Sequence, residues 1–379
     1  MGTSGIIRLG ILTSSRADFG IYLPLLKALK QDTAFSFELI VFGTHLSGVH
    51  GFTKKIIIES GFTVRYEIAS LLVTDDPASI STSYALTALK FADFWNEHKS
   101  EFDLIICLGD RFEMAAAVFA GVPMGVRFAH IHGGETTLGA IDNIYRHAIS
   151  LASAIHFVSA DPFADRIRKL CGPESRVIVC GSLSLDNLDD FQPLSPQEFY
   201  HRWKIDITKN FVLVTVHPET VAFERNKQYV VAIMDALKEI VKEVNIVVTM
   251  PNADTNGSLF REAFLQLAHY FPGRVFLVEN FGTQGYFTCM KHASLLLGNT
   301  SSGIIEAASL GKYVVNIGDR QKGRLTSPNT IQVPFDSTKI IESWKEVFGK
   351  TYDGKNIYKY GRASRIIVDA IKRYADATV

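Results

Sequence analysis

The sequence predicts two doubly wound α/β domains, on three observations. Short apolar runs of the kind that form buried parallel strands alternate with longer segments of helical period. The alternation stops part-way along the chain and then restarts. At 379 residues, the chain also exceeds the ~100–200 residues usual for one domain.

In the first half the apolar runs cover residues 9–13, 37–42, 104–108, 126–131, 155–158 and 177–180. Helical patterns lie between them at 21–30, 80–98, 113–120 and 143–154. The second half carries runs at 211–216, 246–249, 275–278, 295–297 and 313–317, with helical patterns at 229–241, 259–270 and 304–310. Two such series imply two Rossmann-like domains. The join is expected within 184–203, which is polar, contains proline and has no strand-like run. The domains are therefore set at 1–186 and 187–359, with a last helix over 360–379 packing back on the first by analogy with other two-domain folds.

Composition narrows the function classes. Apolar residues make up 47% and charged residues 21%, the balance of a globular protein. A formal net charge of zero gives no general attraction to nucleic acid or acidic membrane, so any anion site must be local. No uncharged stretch approaches the ~18–20 residues of a membrane span, and the start lacks the pattern of a signal peptide. The four cysteines, Cys107, Cys171, Cys180 and Cys289, form no CxxC pair. A reduced, cytoplasmic protein without disulfides or a cysteine metal site is expected.

The chemistry-bearing residues fall at strand ends, where α/β sheets bind ligands. The first such turn reads Thr13-Ser14-Ser15-Arg16-Ala17-Asp18-Phe19-Gly20. Its small hydroxyls leave room for a phosphate at a helix start, and Arg16 adds a charged fork; an ordinary N-cap turn with a surface arginine is the plainer reading. Gly109-Asp110-Arg111 places a carboxylate at the end of a central strand, either as a site group or as an N-cap. His130-Ile131-His132-Gly133-Gly134-Glu135 combines acid/base groups with close backbone approach, and Asp142, Arg146 and His147 follow. His-x-His beside carboxylates also suits a metal, but no clear third ligand accompanies it.

In the second half, His217-Pro218-Glu219 and Pro251-Asn252-Ala253-Asp254 close two runs, and Gly298-Asn299-Thr300-Ser301-Ser302-Gly303-Ile304-Ile305-Glu306 closes a third. Hydroxyls and backbone N–H groups at a helix start make a diphosphate cradle. Glu306 then suits the two hydroxyls of a ribose, or serves as a capping-box partner. Gly318-Asp319-Arg320-Gln321-Lys322-Gly323-Arg324 is a basic loop fit to clamp an anion beside that cradle. A Walker A loop and a GxGxxG fingerprint are both missing, which disfavours ATPase and dehydrogenase functions.

As an ordered set these motifs, running from about residue 8 to 330, resemble the UDP-N-acetylglucosamine 2-epimerase family, and more narrowly its hydrolysing branch of sialic and legionaminic acid synthesis. The resemblance implies a GT-B-like fold with an interdomain cleft and UDP held mainly by the C-terminal domain. It implies UDP or substrate contacts from Arg16, Arg111, Arg146, His217, Asn252, Asp254, Thr300, Ser301, Glu306 and Arg320, with His45 near the sugar. Asp110 and Asp142 match family carboxylates used in catalysis. Several branches carry Glu where this chain has His132, which leaves the remaining acid/base role between His132 and Glu135.

The implied reaction expels UDP from C1 with loss of the C2 hydrogen, giving a 2-acetamidoglycal, and water then adds to form the manno product. Oxocarbenium character at C1 acidifies the C2–H bond. The site needs cations and N–H groups on the departing diphosphate and carboxylates near the sugar, without a cofactor or essential metal. UDP-N-acetylglucosamine is the expected donor, and UDP-N,N'-diacetylbacillosamine is the alternative. Residues 17–20 and 46–52 are candidate readers of the C4 and C6 substituents. A homodimer or homotetramer is expected, with the 80–98 helix as a candidate interface. The competing functions are a GT-B glycosyltransferase, a non-hydrolysing epimerase and a catalytically silent UDP-sugar sensor; the Asp110, His132, Glu135 and Asp142 cluster disfavours the first and last.

Overall fold

In a computed structural model, the structure describes residues 5–48, 51–74, 76–138, 141–219, 223–250 and 257–377. The chain forms two compact units. The first comprises Met1–Glu135, Ile141–Asn187 and Tyr358–Val379; the second comprises Thr136–Ala140 and Leu188–Ile357.

The first unit is built on β1 (Ile7–Thr13), β2 (Phe35–Phe42), β3 (Tyr66–Ile68), β4 (Leu104–Leu108), β5 (Phe128–Ile131), β6 (Ile155–Val158) and β7 (Arg176–Val179). Their order across the sheet is β3-β2-β1-β4-β5-β6-β7, with parallel pairing throughout. The second unit uses β8 (Phe211–Thr215), β9 (Asn245–Thr249), β10 (Val275–Val278), β11 (Leu295–Gly298), β12 (Val314–Ile317) and β13 (Thr330–Val333). Its order is β10-β9-β8-β11-β12-β13, again parallel. Each sheet thus reverses its winding once, at β1/β4 and at β8/β11. The two crevices created there are the points where open α/β sheets take ligands.

Burial explains why the apolar runs are continuous rather than alternating. All five residues of β4 and all five of β8 are buried, because helices cover both faces of each sheet. In the first unit one core layer packs Leu25, Leu26 and Leu29 of the helix Arg16–Gln31 against Ile367 and Ile371 of the last helix, Ala363–Asp376. The opposite layer carries Phe91 and Trp95 of the helix Pro77–His98.

Two strands had no signature in the sequence. β3 is three residues long and only half-buried, and β13 is an edge strand whose single buried residue is Val333. Neither carries enough apolar side chains to form a run. The helices Asp161–Cys171, Gly282–His292 and Ser337–Val347 were likewise not read from the sequence. The first buries only Phe163, Ala164 and Ile167, a narrow stripe in a charged segment. The 184–203 stretch folds as two short helices, Ser184–Asp189 and Pro196–Trp203.

Candidate active site

In the first unit the turn after β1 is organised by Asp18. Ser15 caps the helix Arg16–Gln31 in a capping box with Asp18. The buried Asp18 carboxylate also accepts from the Thr13 hydroxyl at 2.6 Å and from the Ser14 N–H at 2.8 Å. Burial pushes this carboxyl up, but His45, Thr13 and the Ser14 N–H outweigh it and hold its pKa below the usual range. Arg16, at the first helical position, is exposed.

His45, expected near the sugar, is fully buried behind this turn. Its Nε2 lies 3.0 Å from the Thr13 hydroxyl and its Nδ1 2.9 Å from that of Thr53. Thr13 commits its proton to Asp18, so it accepts from the His45 ring. With both nitrogens engaged, His45 supports the Thr13–Asp18 turn and presents neither nitrogen to a ligand.

The ends of β4 and β5 bring four of the predicted residues into one chain of charges. The Arg146 guanidinium, on the helix Asp142–Leu151, pairs with Asp110 and sits 3.7 Å from Glu135. Glu135 Oε1 accepts from His132 Nδ1 at 2.7 Å and from the Ser159 hydroxyl at 2.7 Å. Arg146 and Glu135 side chains are each only 3% exposed, whereas Asp110 is 24% exposed. Arg146 therefore ties two carboxylates together from inside, a different geometry from the substrate contact expected of it. Arg111 pairs with Glu113 at 2.7 Å and keeps 44% of its side chain exposed.

Backbone geometry fixes this corner. Gly134 has φ 76° and a Cβ there would meet the Phe163 carbonyl at 2.6 Å, so only glycine fits the approach. His132 is held at φ 66°, a conformation that costs a non-glycine residue on the order of 1–3 kcal/mol. His130 is spoken for internally, with Nε2 on the Gly109 carbonyl at 2.8 Å and Nδ1 on Ser150 at 3.0 Å. Burial above all, assisted by the neighbouring His156, pushes its pKa down to about 3. Both of its ring nitrogens are thus engaged within the protein, and no group of three or more His, Cys, Asp or Glu placed to hold a metal occurs among the described residues.

Asp142 starts the helix that carries Arg146. Its burial and then the Asp110 carboxylate outweigh Arg111 and Arg146, raising its pKa to about 6. Against an unfolded value of roughly 3.9, the native state binds this proton more tightly between about pH 4 and pH 6. Stability from this group is therefore present at low pH and lost as pH rises through about 6. Asp142→Asn should remove that loss. Urea midpoints at pH 4 and pH 7 will check it: the variant should gain on the parent between the two, and the opposite trend would contradict the burial argument.

In the second unit Asn299 joins the two strands of the crevice. Its side chain accepts from the His217 N–H at 2.8 Å and donates to the His217 carbonyl at 2.9 Å, stapling the end of β8 to the end of β11. Gly298 makes this possible, since a Cβ at its φ of 146° would collide with the Thr215 carbonyl. The Asn299 carbonyl in turn accepts from Arg320 at 3.3 Å and from Gln321 at 2.9 Å, which draws the basic loop to the same crevice. Glu219 holds that loop from below by accepting from the Asp319 N–H at 2.5 Å. His217, half-buried, has its pKa pushed down to about 4 by burial and then by the Arg320 charge.

Thr300 caps the five-residue helix Ser301–Ile305, accepting from the Ser302 N–H at 3.4 Å. So short a helix has little dipole of its own, and what this turn offers an anion is its local N–H groups and hydroxyls. Glu306 follows that helix rather than sitting at its third position, which removes the capping-box explanation. It is 7% exposed. The segment after Glu135 also belongs to this unit: Leu138 donates to the Lys322 carbonyl at 2.9 Å and packs over Gly323. Asn252 and Asp254 lie outside the described residues.

The profile of the UDP-N-acetylglucosamine 2-epimerase family matches residues 27–372. The chain belongs to this family. A relative from Campylobacter jejuni, GDP/UDP-N,N'-diacetylbacillosamine 2-epimerase (hydrolyzing), is 33% identical over 85% of this chain and 83% of its own. A UDP-N,N'-diacetylbacillosamine 2-epimerase (hydrolyzing) from Legionella pneumophila is 29% identical over 95% and 94%. Among solved structures, the UDP-GlcNAc 2-epimerase of Neisseria meningitidis bound to UDP-GlcNAc covers 97% of this chain and 100% of its own, with a TM-score of 0.81 at 18% identity. That likeness concerns the fold, two parallel-sheet α/β domains of GT-B-like kind. No helix among the described residues is long and apolar enough to cross a membrane.

Four residues of the site went unremarked as site residues in the sequence: Asn299, Gln321, Ser159 and Asp18. The first two sat inside recognised motifs, and Asp18 lay in the first turn. Ser159 follows β6 with no motif around it, so only the tertiary contact with Glu135 reveals it.

Proposed function

We propose that this family member is a hydrolysing UDP-sugar 2-epimerase, acting on a UDP-2-acetamido sugar to release UDP and the 2-epimeric free sugar. The observation that carries the reading is the Asp110–Arg146–Glu135–His132 chain beside Asp142. Elimination and hydration each need a proton moved at C2, and a glycosyltransferase or a sensor has no use for so many coupled acid/base groups. In this reading His217, Thr300, Ser301, Arg320 and the undescribed Asn252 and Asp254 hold UDP, with Glu306 on the ribose.

The names of the two hydrolysing relatives at 33% and 29% identity favour the N,N'-diacetylbacillosamine donor, ahead of the UDP-N-acetylglucosamine expected from the sequence. A second reading keeps UDP-N-acetylglucosamine, yielding N-acetylmannosamine for sialic acid synthesis. It is supported by a 28% identical polysialic acid biosynthesis protein P7 of Escherichia coli.

Incubation with each donor in deuterated water, followed by proton NMR, tests both. Free UDP with a 2-epimerised sugar carrying deuterium at C2 is the expected result for one donor. Epimerised donor still attached to UDP would indicate the non-hydrolysing reaction, and intact donors despite tight UDP binding would favour a glycosyltransferase or sensor.

A further inference from the structure

We infer that His132 Nε2 is the atom that takes the C2 proton of the sugar, with Glu135 and Ser159 as positioning residues that act through it. This assignment rests on the hydrolysing-epimerase reading.

The ring is fixed from one side. An ionised Glu135 can only accept, so His132 Nδ1 donates across their 2.7 Å contact. The Ser159 hydroxyl donates to the same oxygen at 2.7 Å and pins the carboxylate in turn. The tautomer so selected places the lone pair on Nε2. That atom is buried and has no hydrogen-bond partner among the described residues, a state that native structures seldom leave without a ligand or water to fill it. Exposure separates the two candidates as well: the His132 side chain is 10% exposed and that of Glu135 3%. The backbone of His132, held at φ 66°, keeps the imidazole in this direction against its own preference.

A carboxylate that orients an imidazole and stabilises the imidazolium formed on it is the logic of the acyl-transfer triads. Here the C1–O bond breaks and its electron pair leaves on the β-phosphate oxygen of UDP. The C2–H bond breaks, its pair becomes the C1=C2 bond, and its proton goes to Nε2. In the hydration, the water oxygen bonds C1 and C2 takes a proton from Asp142, which the water proton replaces. The imidazolium returns its proton to solvent.

His132→Gly tests the assignment cleanly, because glycine adopts φ 66° freely. UDP release from the donor that the parent turns over should fall by about 10²–10⁴-fold, with UDP affinity by calorimetry unchanged and partial recovery on adding imidazole. His132→Gln, which fills the space, should fall as far without recovery. Glu135→Gln should lower kcat at unchanged KM, and Glu135→Asp should regain part of it. UDP and glycal released by His132→Gly at close to the parent's rate would overturn the assignment, as would a Glu135→Gln variant with the parent's kcat. A parent that releases no UDP from either donor would overturn the functional reading, and this assignment with it.

Discussion

Asp110→Asn is expected to lower turnover by about 10²-fold or more while leaving UDP affinity almost unchanged, the magnitude for removing a fixed group that stabilises charge developing in the transition state, here the oxocarbenium character at C1. Asp110 stands one residue past Gly109 at the end of β4, beside the switch point of the first sheet. Of the two carboxylates around Arg146 it is the more accessible, at 24% exposure against 3% for Glu135. Asparagine keeps the shape and can still accept from Arg146, so the fold should survive and the loss should fall on chemistry. UDP affinity is read separately because the proposed cradle belongs to the other unit. Rates at saturating donor, with UDP binding by calorimetry, will check this. Normal turnover would remove Asp110 from the mechanism, and joint loss of turnover and UDP binding would make its role structural.

Arg146→Met is expected to destabilise the protein by about 3–5 kcal/mol, the usual effect of breaking a buried ion pair from one side. The guanidinium is 3% exposed and faces Asp110 and Glu135 together. Its pKa is raised: burial opposes its charge, but Asp110 and Glu135 more than compensate. Methionine fills much of the volume but removes the cation beside the buried Glu135. Arg146→Lys should lose less, since it keeps the charge and gives up only the fork. Urea unfolding followed by tryptophan fluorescence will measure both. A loss below about 1 kcal/mol for methionine would mean that the carboxylates turn out to solvent and that the pair is worth no more than an exposed one.

The fold class was legible because a parallel sheet covered on both faces must be apolar at nearly every position. Runs such as 104–108 and 155–158 coincide with β4 and β6. β3 and β13 escaped for the converse reason: short or peripheral strands bury too few side chains to leave a run. The strand-end motifs were legible too, since the backbone there must turn sharply and then start a helix, which calls for Gly, Ser, Thr and Asp.

The sequence by itself determined the strand runs, the chemical types at their ends and the family to which the chain belongs. Only the tertiary structure decided which of those groups face one another. It turned His45 inward onto Thr13 and Thr53 and closed Arg146 onto Asp110 and Glu135. It also set His132 against a Glu135 that Ser159 holds from another strand end. The physical reason is range. Strand period and turn chemistry are local properties written in neighbouring residues. The partner of a buried charge is chosen by desolvation, which depends on everything the fold brings within a few ångströms.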